Sequence, residues 1–193
     1  MLSERLRALM ASAMQQIGTT LGQTGLSPNF FTVVGFVAVS ANAALIALGY
    51  LQLAGVLLIV SLLLDSLDGA VARATNQISA FGAFLDSTLD RWAEVAIFFG
   101  MAVALSRTGS TLDFVFIYWA ICGSLLVSYT RARAEAIGVQ CKEGLFTRFE
   151  RMVVIVLGLL TGYLTIANGL IALLATLTAA QRLWYVWRQT QQR

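Results

Sequence analysis

The sequence predicts an all-α integral membrane protein: six transmembrane helices and an N-terminal juxtamembrane amphipathic helix. Three observations lead there. Of the 193 residues, 58% are apolar, more than a soluble domain of this size could hide. Several apolar runs approach or exceed the roughly 20 residues that cross a bilayer as a helix. The charged side chains gather between those runs, and no polar stretch is long enough to fold alone. Residues 1–193 therefore read as one membrane domain, with 1–25 as the interfacial helix and 26–193 as the six-helix core.

The elements follow in order. Leu2, Leu6, Leu9, Ala13, Ile17 and Leu21 recur every three or four residues, with Ser3, Glu4, Arg5, Arg7, Gln15 and Gln16 filling much of the other face. That pattern suits a helix lying in the interface plane. Met1 to Gly25 has no continuous apolar core, so no cleaved leader is expected. Gly25-Leu26-Ser27-Pro28-Asn29 ends this helix and starts the next, with Pro28 near the new N-terminus. Six spans follow: Phe30–Tyr50, Leu51–Ala74, Ala80–Leu105, Leu112–Arg133, Phe149–Thr165 and Ala167–Trp187. Trp184, Tyr185 and Trp187, beside Arg182 and Arg188, suit an interfacial anchor at the end of the last span.

Lys and Arg set the orientation. Of thirteen, only Arg107 falls on the side of the short connections around Tyr50, Arg107 and Ile166. The positive-inside rule then puts both termini cytosolic in a multi-pass protein of the cytoplasmic membrane. The chain contains no His, which removes the commonest acid–base group and the usual zinc ligand. Cys122 and Cys141 lack metal-ligand spacing and read as free thiols. No nucleic-acid partner is expected.

Four aspartates carry the chemistry. From Asp65 the chain reads D-S-L-D-G-A-V-A-R, then eight residues, then G-A-F-L-D-S-T-L-D, with Asp65, Asp68, Gly69, Ala72, Arg73, Gly82, Asp86 and Asp90 at the defining positions. Carboxylates beside apolar runs are costly unless something cationic holds them. Spacings of three and four put each pair on one helix face, and the Thr75-Asn76-Gln77 run can turn the chain back so that all four converge. Salt bridges alone fail as an explanation, because Arg73 and Arg91 cannot neutralise four aspartates and Glu94. Oxygen-only ligands favour a hard divalent ion, Mg²⁺ or Mn²⁺. Four carboxylates this close predict two such ions, the arrangement that can clamp both oxygens of a phosphoryl displacement. Gly69 and Gly82 allow close approach, and Arg73 can pair with a phosphate.

The pattern D-x2-D-G-x2-A-R-x8-G-x3-D-x3-D resembles the signature of the CDP-alcohol phosphatidyltransferases at all eight positions. The six-helix layout extends the resemblance over essentially the whole chain. It implies transfer of a phosphatidyl group from CDP-diacylglycerol to an alcohol, with CMP leaving. It also implies that Asp65, Asp68 and Asp86 hold one metal, that Asp65, Asp86 and Asp90 hold the other, and that Asp90 is the general base. Gly69, Arg73, Ser79 and Gly82 would contact the CDP-lipid, with Asn29, Phe30, Phe31 and Thr32 closing over the nucleotide. A homodimer is expected from the family, and small residues such as Gly100, Ala102, Ala104 and Gly123 are compatible with close helix contact.

A second polar cluster begins at Ser128-Tyr129-Thr130-Arg131-Ala132-Arg133-Ala134-Glu135 and continues at Arg148-Phe149-Glu150-Arg151 and Gln181-Arg182. Arg131, Arg148, Arg151 and Arg182, with Ser128, could bind one dianionic group, since Arg favours phosphate geometry. Arg133 and Arg188 read instead as marks of the cytosolic boundary. These segments and G-L-S-P-N-x-x-T resemble the phosphatidylinositol-phosphate synthase branch and the archaeal archaetidylinositol-phosphate synthases. That branch implies 1D-myo-inositol 3-phosphate as acceptor, with glycerol 3-phosphate the alternative. The chain departs at Thr147-Arg148, where many members carry a second Glu-Arg pair. A different class, a divalent-cation carrier, is disfavoured because the acids lie toward one side of the membrane with no polar counterpart deeper in the spans.

Overall fold

The computed structural model describes residues 14–141 and 144–191. The described residues are helical apart from turns and short links, with no strand among them. Helix α1 is described from residue 14 to residue 22; the leucine stripe from Leu2 to Leu9, and Ala13, lie outside the described residues. Helix α2 (Pro28–Ala47) opens on the proline, and the Ser27 hydroxyl accepts from the Phe30 N–H at 3.3 Å, an N-terminal cap. Gly49, at φ 91°, ends this stretch; only glycine adopts that conformation without strain.

The predicted second span is two helices, α3 (Leu51–Asp65) and α4 (Leu67–Ala74). The interruption is the single residue Ser66, whose hydroxyl donates back to the Leu63 carbonyl at 2.6 Å, a competition with the helix ladder that Ser commonly enters. Asn76, at φ 55°, then reverses the chain, as the helix-poor run around it predicts. Ser79 starts α5 (Ala80–Leu105) by accepting the Gly82 N–H at 2.9 Å. Helix α6 (Thr111–Ala136) has a capping box between Ser110 and Asp113. Helix α7 (Arg148–Thr161) has one between Thr147 and Glu150, and α8 (Leu164–Gln191) closes the described chain.

Among the described residues, four stretches are long and apolar enough to cross a bilayer: Pro28–Ala47, Leu51–Ala74, Thr111–Ala136 and Leu164–Gln191. The other two predicted spans differ for physical reasons. Helix α5 has the length, at 26 residues, but carries Asp86, Asp90, Arg91 and Glu94. Helix α7 has 14 residues, so it extends only ~21 Å at the usual rise per residue. A hydrocarbon core is ~30 Å thick.

The chain forms two compact units. One comprises residues up to Asn42 together with Leu57–Ala96. In it Val39, Leu58 and Val71 are fully buried. The Asn42 amide donates to the Ser61 hydroxyl at 2.8 Å, joining α2 to α3, a bond worth about 0.6–2 kcal/mol between helices in lipid. Helix α1 lies close on α4: a Cβ at Gly18 would strike the Ala70 backbone, and one at Gly22 would strike Thr75. The second unit comprises Ala43–Val56 and the chain from Ile97 onward. Helices α6 and α8 run parallel within it. Asp113 accepts from the Thr165 hydroxyl, the Trp119 indole donates to Thr176 at 2.9 Å, and Arg182 donates to the Val127 carbonyl. Ile117, Ala120, Ile155, Leu159, Ile171 and Ala175 fill its core.

Large apolar side chains such as Val37, Leu63, Phe99 and Leu173 point outward on the helices, where lipid rather than water is the fitting solvent. The Arg188 guanidinium lies 5.2 Å over the Trp184 ring, a cation–π contact. Neither Cys122 nor Cys141 forms a disulfide among the described residues.

Candidate active site

The carboxylates are delivered by three helices. Asp65 is the last residue of α3, Asp68 lies in the first turn of α4, and Asp86 and Asp90 sit one turn apart on α5. Asp65, Asp86 and Asp90 each bring a carboxylate oxygen within 4.8 Å of the others. Hard oxygen donors at that spacing, with no nitrogen or sulfur among them, fit a divalent ion of the Mg²⁺ or Mn²⁺ type.

Asp68 stands outside this trio. Its Oδ2 accepts from the Thr32 hydroxyl at 2.7 Å, and its Oδ1 from the Gly69 N–H. Asp90 has Arg91 at 3.6 Å from its Oδ2, while the same Arg91 nitrogen donates to the Ser87 carbonyl. Glu94, one turn further along α5, is 3% exposed.

Beside the trio is a cavity of about 240 Å³, lined by Pro28, Asn29, Thr32, Asp68, Gly69, Ala72, Arg73, Gln77, Ile78, Ser79, Gly82, Ala83 and Asp86. Asp86 belongs to both the trio and the cavity wall. Of the residues expected to contact a CDP-lipid, Asn29, Thr32, Gly69, Arg73, Ser79 and Gly82 line this space. Phe30 and Phe31 do not; their rings meet edge to face at 5.7 Å, and Phe30 is exposed. The two glycines keep the wall open. A Cβ at Gly82 would lie 3.0 Å from the Ser79 hydroxyl and 3.2 Å from Asn29 Oδ1, and one at Gly69 would lie 3.2 Å from an Arg73 guanidinium nitrogen.

The arginines of the second unit are held differently from one another. Arg151 and Arg182 are 1% and 3% exposed, so their charges are carried inside the fold, where a guanidinium needs partners. Arg131 is exposed and donates to Glu135 at 2.8 Å. Arg131, Arg151, Glu135 and Cys141 are among the charged or ionisable groups near Arg182. Arg148 and Ser128 are half-buried, and Arg148 is the first residue of α7. Thr147, at the chain's departure from the branch pattern, is the N-cap of α7, its N–H bonded to Glu150 at 2.7 Å.

Sequence reasoning missed several residues. Gly35 has no signal beyond being a glycine in a span, yet its position packs on Asp65: a Cβ there would lie 3.0 Å from both the Asp65 Cα and its Oδ1. Gln77 and Ile78 form cavity wall without belonging to a motif. Gly144, at φ 155°, lies with its Cα side 3.1 Å from Arg182 Nη2 and from Thr178 Cγ2, measured to an added Cβ. The neighbouring backbone is pinned to α8 by the Phe146 N–H on Thr178 (3.1 Å) and the Leu145 N–H on Gln181 (3.3 Å).

Known proteins align with this arrangement over most of the chain. A profile of the CDP-alcohol phosphatidyltransferases matches residues 25–184. The archaetidylinositol phosphate synthase of Pyrococcus horikoshii is 37% identical over 181 residues, 93% of this chain and 94% of that protein. The phosphatidylinositol phosphate synthase of Mycobacteroides abscessus is 33% identical, covering 92% and 84%. Crystal structures of the Mycobacterium tuberculosis phosphatidylinositol phosphate synthase superpose over about nine-tenths of this chain at 30% identity. The form with CDP-DAG bound gives a TM-score of 0.83 and covers 93% of that chain; the manganese and citrate complex gives 0.84 and covers 88%. Signature, helices and relatives agree, and the chain belongs to the CDP-alcohol phosphatidyltransferase family.

Proposed function

We propose that this enzyme transfers a phosphatidyl group from CDP-diacylglycerol to a hydroxyl of 1D-myo-inositol 3-phosphate, giving phosphatidylinositol phosphate and CMP. The observation that carries the reading is the Asp65, Asp86 and Asp90 trio adjoining, through Asp86, a cavity walled by Asn29, Gly69, Arg73, Ser79 and Gly82. The acceptor is suggested by the buried Arg151 and Arg182 and by relatives named as inositol phosphate synthases.

In this reading Asp65, Asp68, Asp86 and Asp90 would hold two divalent ions, Mg²⁺ or Mn²⁺. Such ions would supply Lewis-acid stabilisation of the phosphoryl charge and of the departing CMP oxygen. Asn29, Gly69, Arg73, Ser79 and Gly82 would hold the CDP portion. Ser128, Arg131, Arg148, Arg151 and Arg182 would hold the acceptor's phosphate, Arg131 exchanging Glu135 for the ligand. Asp90, steadied by Arg91, would accept the proton of the attacking hydroxyl. The hydroxyl oxygen then bonds to the lipid-side phosphorus, the bond from that phosphorus to the bridging oxygen breaks, and CMP leaves with that oxygen.

The topology that suits this chemistry is the six-span arrangement, α5 and α7 included, acting as one catalytic domain in the cytoplasmic membrane. Both termini and the aspartates would be cytosolic, and two chains would associate as a homodimer. CMP release by purified protein with CDP-diacylglycerol and Mg²⁺ tests the activity, with inositol 3-phosphate and glycerol 3-phosphate supplied separately. Release with inositol 3-phosphate alone is expected. Release with glycerol 3-phosphate alone would overturn the acceptor, and release with neither would overturn the reaction.

A further inference from the structure

Thr32 and Asp68 are 36 residues apart, on α2 and α4, yet their side chains are joined by a 2.7 Å hydrogen bond. Thr32 is 3% exposed and also lines the cavity, as Asp68 does. A helical threonine ordinarily returns its hydroxyl to the carbonyl one turn back. Here that carbonyl, of Pro28, is at 3.3 Å, so the carboxylate is the nearer acceptor. The other Asp68 oxygen accepts from the Gly69 N–H. An ionised carboxylate has about four lone-pair positions. Two protein donors therefore leave capacity for a cation while restricting the direction in which it is offered.

We propose that Thr32 is a positioning residue for the fourth carboxylate: its hydroxyl sets the orientation in which Asp68 serves a divalent ion, tying α2 to metal loading. The inference rests on the two-ion reading above and deepens it. Asp65, Asp86 and Asp90 approach one another, whereas Asp68 lies outside that group, on the cavity wall, with its carboxylate held by Thr32. Groups that orient a metal ligand from behind commonly change metal affinity by about 10–100-fold when removed. This role differs from the one the family resemblance implies for Thr32, closure over the nucleotide.

The test is direct Mn²⁺ binding to the purified protein in detergent, read from the electron paramagnetic resonance of free Mn²⁺ without any turnover. Thr32→Val removes the hydroxyl at nearly constant shape, Thr32→Ser restores it, and Asp65→Asn breaks the trio. Thr32→Val should weaken one class of Mn²⁺ site at least tenfold, with Thr32→Ser close to wild type. Wild-type Mn²⁺ binding in Thr32→Val would overturn the proposal. Such binding together with a raised KM for CDP-diacylglycerol would assign the hydroxyl to the nucleotide. Equal losses in Val and Ser would also overturn it, by pointing to packing rather than the hydroxyl. If wild-type protein binds no Mn²⁺, or Asp65→Asn has no effect, the metal reading itself falls and takes this inference with it.

Discussion

Gly35→Ala adds one methyl group where α2 passes the end of α3. That Cβ would lie 3.0 Å from the Asp65 Cα and Oδ1, and 3.4 Å from its Cβ. Comfortable carbon contacts are about 3.5–4.0 Å, so the helices must separate by roughly half an ångström or more. The obstructing Cα is backbone, which cannot rotate away as a flexible side chain would. Overpacking of this kind costs about 1–3 kcal/mol, and a misplacement of about 1 Å at a reacting centre can cost about 100-fold in rate. The expected outcome is a folded enzyme with kcat for CMP release reduced about 10–100-fold, and an unchanged acceptor KM. Val37→Leu, on an exposed part of the same helix, serves as the control and should leave kcat within about twofold. Monodispersity and thermal unfolding in detergent would accompany the kinetics. Wild-type kcat in a folded Gly35→Ala protein would refute the claim that α2 packing sets the place of Asp65.

Other substitutions probe the remaining parts. Asp90→Asn keeps size and removes the proposed proton acceptor; kcat should fall by about 10²–10⁴-fold, measured as CMP release, with the protein still folded. Gly144→Ala presses a methyl onto Arg182 and Thr178 and should raise the acceptor KM about tenfold, equivalent to ~1.4 kcal/mol. An equal rise in the CDP-diacylglycerol KM would contradict that assignment. Thr147→Ala removes the α7 cap and should cost about 0.5–2 kcal/mol of stability, read as a lower Tm.

The reach of the sequence can be judged from particular residues. Asp86 and Asp90 are four apart on one unbroken helix, so spacing alone places them together, and Asp65 joins them because the Asn76 turn folds α4 back toward α5. The bounds of α5 follow from its apolar run for the same local reason. Asp68 obeys the same spacing, yet its partner is Thr32, a residue of another helix that no periodicity links to it. Gly35 was illegible because small residues occur throughout membrane spans, and only the packed backbone distinguishes the one facing Asp65. In the second unit, helical proximity of Arg131 and Glu135 was available from their i,i+4 spacing. The Gly144 contact with Arg182 depends on a loop path that composition does not encode. The short α7 departs from its expected span because Gly162, at φ 79°, ends the helix four residues before the apolar run suggests.

The break at Ser66 means that the two pairs of carboxylates are carried differently. Asp86 and Asp90 hang from continuous α5, where backbone hydrogen bonds hold their separation. Asp65 and Asp68 belong to consecutive helices on either side of Ser66, whose backbone stays helical at φ −74°, ψ −6°, with its N–H on the Leu62 carbonyl at 3.3 Å. Helix α4 therefore carries one of the four aspartates, Asp68, together with Gly69 and Arg73 of the cavity wall. A change at Ser66 that re-aimed α4 would move the proposed metal ligand and the proposed nucleotide contacts together.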